Sequence, residues 1–294
     1  MGGTIESGST VPRRQLGRHL RELRNQTRMT MRTAAEALEL SQATLSRIEN
    51  GHNAMRSLDV QAMCQVYGAN EELTAALMAL AKESKSKGWW HSFGDVVPEG
   101  FDVYIGLEEA ANRLRWYESE LVPGLLQAEG YTRALIQASR KDDDPDETER
   151  RVQLHMARQA LITRPTAPPT LDVVTDEGAL RRPIGGPEAM AVQLDRLIEL
   201  GQRPNIHLRV LPSAVVHSAL GAGKFIILDF PTNGSGQPSE PTTVYMDHLA
   251  GELYLDKPRE AERYVAAFEN IWSAALSEAE SEQAIAALAK EIRR

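Results

Sequence analysis

The sequence predicts a mainly helical N-terminal domain of five helices, then a helical segment, then an α+β domain with a small sheet. Three observations carry this. Apolar residues recur every three to four positions from Arg13 to Leu80, the spacing of one helix face. The run TRPTAPPT at 163–170 breaks that character. Beyond it come short runs rich in Val and Ile, bounded by Gly, Pro or Asn: LDVVT, IHLRVLP, KFIILDF and TTVYMDH. At 294 residues and 42% apolar content, the chain is long enough for two domains with a real core.

Residues 1–12 are rich in Gly, Ser and Thr and are expected to form a disordered tail. Residues 13–81 hold the five helices. The first spans Arg13 to Arg28, with Leu16, Leu20 and Leu23 on its buried side. Between Met29 and His52 two short helix patterns meet. Thr30 caps the first, which places Ala34, Ala35 and Leu38 inside. After Glu39-Leu40, Ser41 caps the second, which places Leu45 and Ile48 inside and ends at Asn50-Gly51. Helix, tight turn and helix, with small residues where the axes cross, is the helix-turn-helix pattern. Its outward residues, Gln42, Ala43, Thr44, Ser46 and Arg47, are short or able to make two hydrogen bonds, as a major groove requires. Ser57 to Tyr67, with Leu58, Ala62 and Val66 on one face, and Asn70 to Leu80, with Leu73, Leu77 and Leu80, read as the closing helices.

Residues 82–100 read as a linker, and Trp89-Trp90 within it as a hydrophobic anchor for a neighbouring domain or second subunit. Residues 101–294 then form one regulatory or interaction domain, helical over 101–164 and α+β over 171–294. Its helices are expected from Phe101 to Glu120, after Pro123, from Asp146 to Arg164, from Pro187 to Leu200 and from Pro258 to Leu276. A last helix starts with a Ser277/Glu280 capping box.

SQATLSRIENG at 41–51 resembles the recognition segment of the lambda-repressor and Cro-like, or XRE-type, helix-turn-helix regulators, and the resemblance spans about residues 13 to 80. It implies a half-site reader of double-stranded DNA. Gln42 and Thr44 would read base edges, Ala43 would lie against them, and Arg47 would read a guanine or brace a phosphate. Thr30, Arg32, Ser41 and Asn53 would meet phosphates. It also implies that Glu49 pairs within the domain. Because one such domain covers a half-site, a homodimer on a palindromic operator is expected.

Four segments, 121–136, 151–164, 176–200 and 224–230, are similar to actinobacterial XRE-type regulators with a large C-terminal domain of uncharacterised function, the WhiJ-like type. That similarity implies a developmental or antibiotic-linked transcription factor, often with a small partner protein of the BldB-like type.

The net charge of −8 misleads. Val11 to Arg56 carries nine arginines against four glutamates, and Met1 to Lys87 carries +3, so the remainder holds −11. A basic head on an acidic body fits a binding module joined to a part that avoids DNA. Cys64 is the single cysteine, which excludes a disulfide framework and suits a cytoplasmic, nucleoid-associated protein. Neither an 18-residue apolar run nor a secretory leader is read, so no membrane is expected.

Enzyme, cofactor and metal patterns are not found. Gly221-Ala222-Gly223-Lys224 lacks the first glycine and the terminal hydroxyl of a phosphate loop. Asp142-Asp143-Asp144 lacks a calcium loop's glycine and closing Glu, and reads as helix-start charge. For an effector or partner, Trp89, Trp90, His217, Lys224 and His248 are the candidates. Two other classes stay open: an antitoxin-like interaction protein with autoregulatory DNA binding, and a ligand-gated sensor with a cryptic enzymatic domain.

Overall fold

A computed structural model describes residues 10–84, 88–98, 100–141, 143–216, 221–232, 238–248 and 251–294. The chain separates into two compact units. One holds the residues up to 94 together with 98–110, and the other holds 95–97 with 111–294.

In the first unit the five expected helices are α1 (Thr10–Gln26), α2 (Met31–Ala37), α3 (Gln42–Glu49), α4 (Ser57–Val66) and α5 (Glu71–Glu83). The helix α1 begins inside the expected tail, because Val11 is buried and Pro12 sits in the first turn, where its missing N–H costs nothing. It stops at Gln26, and Arg28 then turns the chain with φ 57°. Leu16, Leu20, Leu23, Ala34, Ala35, Leu45 and Ile48 share one core. The face expected for α4 is corrected. Leu58 is 70% exposed and Val66 37%, while Val60, Met63, Cys64 and Tyr67 are buried. The second stripe brings more apolar volume inward, since the first has only Ala62 at its centre.

The segment after α5 carries a 3-10 turn, Trp89–Phe93, and a sixth helix, α6 (Phe101–Ala110), which packs on α1. The helix expected from Phe101 to Glu120 is therefore cut short. Arg113–Glu118 is instead a strand, β1, hydrogen-bonded on both sides. Its aromatic residues suit a pleated surface, and five of its six residues are buried.

The second unit is built on a six-stranded mixed sheet of order β3-β2-β1-β4-β5-β6. The strands are β2 (Thr170–Asp176), β3 (Ile206–Leu211), β4 (Phe225–Asp229), β5 (Thr243–His248) and β6 (Gly251–Leu255). Strands β1, β2 and β3 run parallel, and the remaining pairings are antiparallel. The edge strand β6 was not expected from sequence. The helices are α7 (Glu129–Ser139), α8 (Pro145–Arg158), α9 (Ala160–Thr163), α10 (Glu177–Arg181), α11 (Gly186–Gly201), α12 (Pro258–Ala274) and α13 (Glu278–Ile292). Asp144 caps α8, and the Ser277/Glu280 capping box opens α13. On one face of the sheet, Tyr117, Val174, Phe225, Ile227 and Val244 pack against Ala261, Phe268 and Ile271 of α12. No described helix is long and apolar enough to cross a membrane.

Candidate nucleic-acid interface

Two capped helices make the candidate interface. Thr30 accepts the Thr33 N–H at 3.1 Å, and Ser41 accepts the Thr44 N–H at 3.0 Å, so each helix has a fixed start. Between them Glu39 stands at φ 55°, and the Leu40 N–H closes back onto the Ala35 carbonyl at 2.9 Å. This is a C-terminal stop usually given to glycine. Ala34 and Ala35 are buried beside Leu45 and Ile48, and their small side chains let α2 and α3 approach.

The far end of α3 is fastened to α1. Arg24 donates from Nε to Glu49 Oε1 at 2.6 Å and from Nη2 to Oε2 at 2.9 Å, and its Nη1 reaches the Met29 carbonyl at 3.0 Å. The hydrogen bonds to Glu49 hold the Arg24 guanidinium above its usual pKa. Arg21 donates to the Glu49 carbonyl at 3.0 Å and to the Asn50 side chain, and Asn50 Nδ2 donates to Ser46 Oγ at 3.3 Å. Gly17 is required at the crossing, since a Cβ there would stand 2.5 Å from the Ile48 carbonyl oxygen. Gly51, at φ 75°, turns the chain away under the backbone of Arg14.

With Leu45, Ile48 and Glu49 buried, α3 presents Gln42, Ala43 and Arg47 fully and Ser46 partly. Thr44 is half-buried, and its hydroxyl lies 2.8 Å from Ser41 Oγ, within the cap. Thr30, Arg32, Ser41 and Asn53 are exposed, and Arg32 Nε lies 4.0 Å from the Glu36 carboxylate. The pairing of Arg21 with Asn50 is tertiary and was not legible in the sequence. Partial burial first, then Arg14 with Arg47 and Arg13, outweighs Asp102 and holds the His52 imidazole below its usual pKa. The end of α3 is thus a positively charged setting.

A protein-family model described as a domain of unknown function, DUF5753, matches residues 101–287. The chain belongs to the DUF5753 family. A second model, described as a helix-turn-helix domain, matches residues 15–77, which takes in α1 through most of α5. This DUF5753 protein therefore carries a helix-turn-helix domain, the module of DNA-binding regulators. No curated protein and no solved structure matches it.

The other candidates of the DUF5753 protein are divided between its two units. Trp90 is 1% exposed within the first unit, and Trp89 Nε1 donates to Glu109 of α6 at 2.6 Å, so only Trp89 has surface to offer. Lys224 Nζ lies 4.0 Å from Asp247 beside β5, and His248 is exposed at the end of that strand. His217 lies outside the described residues. Among the described residues no group of His, Cys, Asp and Glu is arranged to hold a metal.

Proposed function

We propose that the chain is a sequence-specific transcriptional regulator of the XRE, lambda-repressor-like type, acting as a homodimer on a palindromic operator. The observation that supports this best is the exposed face of α3, Gln42, Ala43, Ser46 and Arg47, on a helix locked by Ser41 at one end and Arg24–Glu49 at the other. A rigid helix carrying short or bidentate side chains is what direct readout of base edges needs. In this reading Gln42 and Arg47 read bases, and Thr30, Arg32, Ser41 and Asn53 position the domain on phosphates. Thr44 serves through the cap.

The acidic second unit would join two copies and take an effector or a small partner, in keeping with the WhiJ-like resemblance and its BldB-like partners. On this reading the protein is a cytoplasmic, nucleoid-associated repressor and not an enzyme.

Selection of the full chain against random DNA duplexes at physiological salt tests the reading. The expected result is enrichment of an inverted repeat whose half-sites lie about one DNA turn apart, roughly 34 Å. Retention of DNA without enrichment of any sequence would overturn it.

A further inference from the structure

We propose that the second unit binds a free amino acid with a single-ring apolar side chain, in a cavity between the sheet and α12. The cavity measures about 160 Å³ and is lined by Arg113 and Arg115 of β1, Asp172 of β2, and Phe268, Glu269 and Trp272 of α12. An apolar cavity of about 150 Å³ accepts benzene, so this pocket, which is open on one side, has room for one ring with the charged end of the ligand at its mouth.

Each part of such a zwitterion meets a matching group. Arg113 and Arg115 alternate along β1 and so share a face of the sheet. Arg113 Nε donates to Asp172 at 2.7 Å, which is its only hydrogen bond among the described residues, and its side chain is half-exposed. Both terminal amino groups therefore remain for a carboxylate, which a guanidinium binds through two parallel bonds. Arg115 is 8% exposed; its Nη2 holds Asp229 at 2.8 Å and its Nε has no acceptor. A buried guanidinium whose Nε has no acceptor is unusual in a settled core.

The wall is aromatic. Phe268 and Trp272 lie one helical turn apart with ring centroids 5.8 Å apart and planes 26° apart. Arg209 covers Trp272 at 4.2 Å and donates to its carbonyl at 3.1 Å, which fixes the ring. At the rim Glu269 is exposed, and its carboxylate has no partner among the described residues. It supplies the counter-charge for an ammonium. Asp172 and Glu269 together disfavour a phosphorylated ligand, whose charge exceeds what one open guanidinium offers.

Calorimetric titration of the full chain with L-phenylalanine, without DNA, tests the site independently of the regulator reading. The expected result is saturable binding with a Kd of about 1 mM or tighter. 3-Phenylpropanoate lacks the ammonium and 2-phenylethylamine the carboxylate; each should bind about tenfold more weakly. Arg113→Gln and Glu269→Gln, both at accessible positions, should each cost about tenfold, and Gln42→Ala nothing. The proposal fails if phenylalanine gives no saturable heat up to about 10 mM, or if either Arg113→Gln or Glu269→Gln binds like the parent.

Discussion

The Arg24 guanidinium holds both carboxylate oxygens of Glu49, at 2.6 and 2.9 Å, with the carboxylate side chain 1% exposed. The pair joins α1 to the last turn of α3, so the placement of α3 is set by an ion pair in the interior. Removing one partner strands the other charge inside. Glu49→Ala is therefore expected to cost about 3–5 kcal/mol, and the Arg24→Ala/Glu49→Ala double variant less than the sum of the singles. Urea denaturation of the three variants measures this. A loss under about 1 kcal/mol for Glu49→Ala would remove the pair from the account.

Gly17 makes the same crossing sterically possible. An alanine Cβ would meet the Ile48 and Glu49 carbonyl oxygens at 2.5 and 2.8 Å, and backbone atoms cannot swing aside. Alanine favours a helix by about 1 kcal/mol over glycine, yet Gly17→Ala is expected to destabilise by about 1–3 kcal/mol because the axes must separate. Gly201 at the end of α11 has open space around its Cβ position, so Gly201→Ala should be neutral or stabilising by up to about 1 kcal/mol. In thermal melts Gly17→Ala should lower the midpoint while Gly201→Ala leaves it unchanged or raises it, and a Gly17→Ala midpoint no lower than that of Gly201→Ala would refute the steric argument.

What the sequence made legible follows the range of the interactions. Thr30, Ser41, Asn70 and Asp144 announce their helices because a cap bonds within three residues. The strands β2 to β5 stand out through dense Val and Ile between turn residues. β1 does not, because Leu114 and Tyr117 continue the helical spacing set by Ile105, Leu107 and Ala111. Only pairing with β2 and β4, about 60 and 110 residues away in sequence, decides the matter. β6 is a half-exposed edge with no apolar run. The contacts Arg21–Asn50, Gly17–Ile48 and Arg113–Asp172 likewise join distant segments, and no local pattern encodes them.

Readout and positioning on α2 and α3 should separate in DNA binding. Gln42→Ala, which on the proposed function would remove a bidentate contact, is expected to relax preference at one position per half-site by about 1–3 kcal/mol. Arg32→Ala should weaken all sequences alike and reduce the slope of log affinity against log salt by about 1 per monomer. Thr44→Val removes a hydroxyl that lies within hydrogen-bonding distance of Ser41, so it should lower stability slightly without altering sequence preference. Fluorescence anisotropy on the selected operator and its single-base variants reads all three. A change of base preference by Thr44→Val, with none by Gln42→Ala, would reverse the assignment.

His155 gives the second unit a pH dependence of known sign. Its Nε2 lies 2.9 Å from the Gly124 carbonyl, which can only accept, so the neutral ring donates there. Burial first, and then Arg158, push its pKa down to about 3 against the stabilising pull of that carbonyl. The unfolded chain titrates near the ordinary histidine value, about 6.5, and so binds a proton where the folded chain does not. The stability gained by holding the ring neutral is complete above that value and is lost as pH falls from it towards 3. At pH 5 the expected loss is about 1–2 kcal/mol, allowing for the ring's partial contact with solvent. His155→Gln keeps a donor for Gly124 without titrating. It should flatten the dependence between pH 6.5 and pH 4 in urea denaturation followed by near-ultraviolet circular dichroism. An unchanged slope in that variant would place the acid sensitivity on other groups.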